Sequence, residues 1–126
     1  MSDFSDYLEN KVMNHVFSGN AYTPPTLYVG LFTTATTDAG GGTEVSGGAY
    51  ARQTFTMTTT GDTSTTSASI EFPTATANWG TITHMAIFDA ASGGNMLAHG
   101  ALTASKTINS DDVFRIDAGE IDITLA

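Results

Sequence analysis

Hydrophobic and polar positions change rhythm once along this chain. Phe4, Leu8, Val12 and Val16 recur at every fourth position, and Met13 and Phe17 widen the stripe. That is the period of an amphipathic helix, so the pattern predicts one helix over residues 4–17. Asp6 and Glu9 suit its first turn, and Gly19 stands where a C-terminal cap belongs. A helix ~20 Å long is marginal alone in water, so its apolar face must dock. The expected dock is the chain's own sheet; the alternative is a neighbouring subunit.

After Thr23-Pro24-Pro25, which stop any helix, the period becomes two. Leu27, Val29 and Leu31 alternate with Tyr28, Gly30 and Phe32, and both sets are apolar. This predicts a central strand covered on both faces, with the helix as one cover. Residues 33–49 form a long Gly/Thr-rich loop, either a surface excursion or a segment that orders against a partner. Further strands are expected over residues 50–57 and around Ala68, Ile70 and Phe72, with a Thr/Ser-rich turn at Gly61-Asp62 between them. Trp79 reads as a core or rim anchor. Residues 80–89 and 95–102 form a hairpin. Residues 113–117 and 120–125 form two last strands hinged at Ala118-Gly119, with Ile121, Ile123 and Leu125 facing inward.

One helix and seven or eight short strands, with turns every 8–12 residues, predict a single mainly β domain over residues 1–126. Its expected architecture is an antiparallel β-sandwich, jelly-roll-like, with one N-terminal amphipathic α-helix.

Composition narrows the function. There is no cysteine, and only 13% of residues are charged. The net charge of −9 comes from 4 basic and 13 acidic residues. Lys11, Arg52, Lys106 and Arg115 are scattered, which argues against nucleic acid as a partner. The acidity repels anionic membranes, and no apolar run reaches the ~20 residues of a spanning helix. The first residues lack the basic and apolar regions of a signal peptide, so the chain is expected to be made soluble in a cytosol.

Candidate chemistry is sparse. His84 and His99 sit on the two predicted hairpin strands, with Asp89 as the nearest third metal ligand, but no metal-site spacing supports them. Asp111, Asp112, Asp117 and Glu120 lack the spacing of a calcium loop. No nucleophile motif is present. The chain is therefore expected to be no enzyme and to hold no cofactor or metal. Tyr28, Tyr50, Trp79 and Phe88 offer the alternative of a carbohydrate-binding domain that stacks on sugar rings.

Five segments carry a family likeness. They are Ala21-Tyr-Thr-Pro-Pro-Thr-Leu-Tyr-Val-Gly-Leu-Phe-Thr33, Thr43-Glu-Val-Ser-Gly-Gly-Ala-Tyr-Ala-Arg-Gln53 and Phe72-Pro-Thr-Ala-Thr-Ala-Asn-Trp-Gly-Thr-Ile-Thr-His84. Ile87-Phe-Asp-Ala-Ala-Ser-Gly-Gly-Asn95 and Gly100-Ala-Leu-Thr-Ala-Ser-Lys-Thr-Ile-Asn109 complete the set. Together they resemble small tailed-bacteriophage virion proteins, usually labelled phage tail fibre or minor tail proteins. The resemblance implies a structural virion role without catalysis, in contact with other tail or capsid proteins and a host surface receptor. The alternative within that class is a capsid decoration protein that stabilises the head. The helix stripe, the long loop and the likeness together predict a homo-oligomer, taken as a trimer. Phe4, Leu8 and Val12 on the stripe, with Gly41, Glu44, Val45 and Tyr50 further on, form the candidate partner interface.

Overall fold

The computed structural model describes residues 3–125. In chain order the elements are β1 (Asp3–Phe4), α1 (Asp6–Phe17), β2 (Leu27–Phe32), β3 (Gln53–Phe55), β4 (Met57–Thr60) and β5 (Thr63–Thr66). They continue with β6 (Ile70–Glu71), β7 (Gly80–Phe88), β8 (Met96–Ile108), β9 (Arg115–Ile116) and β10 (Asp122–Thr124).

The helix begins two residues later than its stripe suggests. Ser5 is extended, and its hydroxyl accepts from the Leu8 amide at 3.1 Å as the N-cap. The same hydroxyl donates to the Met96 carbonyl, while the Ser5 amide donates to the Leu97 carbonyl at 2.8 Å. These bonds draw the chain onto the edge of β8, so Phe4 belongs to β1 and pairs with Ala98. At the other end Gly19 adopts φ +72°, and the Asn20 amide returns to the Asn14 carbonyl at 3.1 Å.

The main sheet has the order β1-β8-β7-β2-β3, and every pairing is antiparallel. Two smaller sheets, β10-β5-β4 and β6-β9, complete the fold. Side chains from all three contribute to one core: Val29, Leu31, Ile82 and Ile87 pack with Phe72, Ile116 and Ile121, all 2% exposed or less, and the half-buried Met57 and Ile123 of the β10-β5-β4 sheet pack against them. Each such side chain contributes about 1.5–3 kcal/mol through burial. Trp79 and Phe114 meet Phe72 edge-on, with centroids 6.4 and 5.7 Å away. Sequence and structure agree on a mainly β, antiparallel fold with one N-terminal helix.

β2 is central and covered on both sides, but α1 does not supply the second cover. Val29 and Leu31 face the core; Phe32 faces the other way and stacks on Phe88 at 6.0 Å. The helix instead sits at the β1/β8 edge, where Tyr7 and Leu8 pack against the core. It has no fully buried residue.

Three local expectations are corrected. The strand over residues 50–57 is two strands, β3 and β4. The Thr/Ser-rich turn includes a strand, β5, which joins β4 around Gly61 and Asp62. Leu125 is 54% exposed rather than inward. The predicted hairpin forms, but its second strand runs on to Ile108. Ile82 pairs with Lys106 and His84 with Ala101, so residues 102–105 of β8 bulge out opposite Thr83 alone.

Candidate interaction surface

The motif around residues 43–53 builds a polar clamp. Arg52 reaches both carboxylate oxygens of Glu44 at 2.8 Å through Nε and Nη2. Its Nη1 donates to the carbonyls of Ala90 and Gly93 at 2.9 and 2.8 Å. The guanidinium also lies 3.5 Å over the Phe88 ring. One side chain, 7% exposed, thus ties the long loop to the β7–β8 turn.

Tyr50 completes the clamp. Its hydroxyl donates to Glu44 Oε2 at 2.5 Å and accepts from the Leu31 amide at 2.9 Å. Burial, then the bond to Glu44, pushes the phenol pKa well above its ordinary 10.0. The ring stacks on Phe72 and meets Trp79 edge-on at 5.5 Å. Gly48, at φ +58°, passes so close to Trp79 that a Cβ there would lie 2.9 Å from Nε1, whose N–H donates to the Gly48 carbonyl. Only glycine fits that approach.

A second set of bonds pins residues 36–38. The His99 ring lies between Thr36 Oγ1, 2.8 Å from Nδ1, and Asp38 Oδ1, 2.8 Å from Nε2. Thr36 is 9% exposed and His99 7%. The Asp38 carbonyl accepts from the Asp6 amide at 2.9 Å, joining this loop to the helix start. Hydroxyl, imidazole and carboxylate stand in the order of a proton relay; in this fold they latch the loop onto β8.

The other candidate groups are engaged locally. His84 Nδ1 meets Thr83 Oγ1 at 2.8 Å, and Asp89 holds the amide and side chain of Asn95 across the hairpin turn. Asp112 accepts from the Asn109 amide, and Asp117 pairs with Arg115. Among the described residues, no three His, Asp or Glu side chains gather as a metal site would require. Of the four aromatics considered for sugar stacking, Trp79 and Phe88 are buried, and Tyr28 and Tyr50 are half-buried against other rings or the core.

The seven candidate interface residues therefore divide. Val45 is buried in the core, while Glu44 and Tyr50 turn into the clamp. Gly41 lies exposed on the loop, its amide bonded to Thr37. Phe4 and Leu8 are half-buried and Val12 is 37% exposed. Beyond Val12 the helix carries Met13, Val16 and Phe17 at 57%, 60% and 75% exposure. These three were legible in the stripe as apolar, but nothing in the sequence revealed that they would stay uncovered. At the foot of the helix a solvent-open pocket of about 160 Å³ is lined by apolar side chains. Leu8, Leu27, Met57, Leu97 and Ile123 form much of its wall, and Ile87 its floor.

No curated protein matches this sequence. A family described as Podophage GP4 fiber I protein gp80 matches residues 3–124, which is nearly the whole chain and includes the clamp, the latch and the helix. This protein belongs to that family of phage fibre structural proteins.

Proposed function

We propose that this chain is a non-catalytic module of a podophage tail fibre or minor tail structure. It is made in the host cytoplasm and works as a rigid body gripped by other virion proteins and presented to the host surface. The observation that carries the reading is the uncovered apolar end of α1, set on a body whose loops are locked by buried polar bonds. Three large apolar side chains on two turns of helix are costly to leave in water, and such a patch marks a protein contact. Family membership supports the fibre role over head decoration.

The test is incorporation into particles. Phe17→Asp should leave the melting temperature of the dilute, monomeric protein unchanged, yet strip it from purified virions measured by mass spectrometry. Normal incorporation of this variant would overturn the docking role of the helix. Wild-type copy number answers the second question: a few to a few dozen per particle fits the tail, and hundreds would move the protein to the head.

A further inference from the structure

The apolar end of α1 and the pocket at its foot are complementary. The pocket measures about 160 Å³ and opens to solvent. An apolar cavity of ~150 Å³ accepts a single benzene-sized ring. Phe17 offers such a ring at 75% exposure, flanked by Val16 and Met13. The molecule cannot fill its own pocket with it. Leu8 is a wall residue, and Phe17 lies nine positions further along the helix, ~13 Å away at ~1.5 Å per residue.

Ring and pocket belong to the same sequence, so a second copy can supply the ring, and charge does not forbid it. None of the 13 acidic residues falls within residues 10–37, a stretch that carries Lys11 and His15. It supplies the helix end together with Tyr22, Pro25 and Leu27 of the pocket wall. Two copies at −9 repel each other over most of their surface, and least where this stretch is presented.

We propose that Phe17 of one copy seats in the apolar pocket of the next, giving a head-to-tail contact between copies. End and pocket are different patches, so the contact is heterologous: it closes into a ring if the rotation allows and otherwise extends. This deepens the docking role assigned to the helix end and rests on it in that respect alone.

Sedimentation velocity from about 10 µM to about 1 mM, the range in which contacts of modest affinity are read, tests it with four samples. These are the wild type, Phe17→Asp, the pocket-filling Ile123→Trp, and an equimolar mixture of the two variants. The wild type should assemble, and each variant alone should be monomeric. The mixture should give a dimer and nothing larger, because one intact end remains for one intact pocket. Pro25→Glu, which charges the pocket rim without enlarging a side chain in the core, should behave as Ile123→Trp does; it guards against misfolding of the latter. A wild type that stays monomeric, a mixture that forms no dimer, or pocket variants that assemble like the wild type would each overturn the contact. A monomeric wild type whose Phe17→Asp variant is still lost from virions overturns it while leaving the fibre role intact.

Discussion

Gly30 lacks a side chain because the clamp occupies the space one would need. A Cβ there would lie 2.7 Å from Glu44 Oε2 and 3.2 Å from the Tyr50 hydroxyl. Arg52 holds that carboxylate by both oxygens, so it cannot swing clear. Gly30→Ala should therefore lower stability by about 1–3 kcal/mol, read as a fall in the urea midpoint. Tyr50→Phe acts differently. It leaves the Leu31 amide without its acceptor, at a cost of about 1–3 kcal/mol. It should also alter the response to alkali. The folded protein keeps the Tyr50 phenol protonated above its ordinary 10.0, whereas the unfolded chain ionises there. The stability this group gives is complete below pH 10 and is lost as pH climbs beyond it. Urea titrations between neutral and strongly alkaline pH should show a shallower decline in Tyr50→Phe than in the wild type. An equal slope would mean that the hydroxyl is not held as described.

Elements with a strong period were readable, and those without one were not. The four-residue stripe gave α1, and the doubly apolar run gave β2. The Ala90-Ala91-Ser92-Gly93-Gly94 turn marked the β7–β8 hairpin. β5 reads Thr63-Ser64-Thr65-Thr66, with no apolar alternation; only its pairing with β4 and β10 makes it a strand. The start of α1 was misplaced because Phe4 fits the stripe, while the partners of Ser5 lie on β8, 91 residues away for the hydroxyl. Nor could the motif at residues 43–53 disclose that Glu44, Tyr50 and Arg52 point at one another. That depends on Gly47, Gly48 and Ala49 all taking positive φ. Ser5→Ala, which removes both the cap and the bond to Met96, should cost about 1–2 kcal/mol in thermal or chemical unfolding. Leu8→Ala should also destabilise, because Leu8 packs on the core. Val16→Asp, at 60% exposure, should change stability by less than about 0.5 kcal/mol. That contrast within one helix separates its docked turn from its free end.

Across the whole molecule, Arg52 joins parts far apart in sequence: the long loop through Glu44, the hairpin turn through Ala90 and Gly93, and the second face of the sheet through Phe88. Lysine carries the charge but cannot make the fork. Arg52→Lys should speed amide hydrogen exchange in residues 44–52 and 89–95 together, while the β4–β5 hairpin keeps its wild-type rates. Exchange that rises in only one of the two segments would refute the shared clamp.

The swelling at residues 102–105 has a consequence for how such a protein survives crowding before assembly. β8 is the longest strand among the described residues; Ser5 and β1 hold its outer side from Met96 to His99, and past His99 no described strand covers that side. A straight, bare margin of that length would be a template onto which strands of other chains could zip. By throwing four residues out of line, the chain spoils its own template and leaves recognition to side chains. Excising Thr103, Ala104 and Ser105 to straighten the margin should yield a protein that still folds but turns thioflavin-positive on standing; a clear, dye-negative solution would argue that the swelling guards nothing.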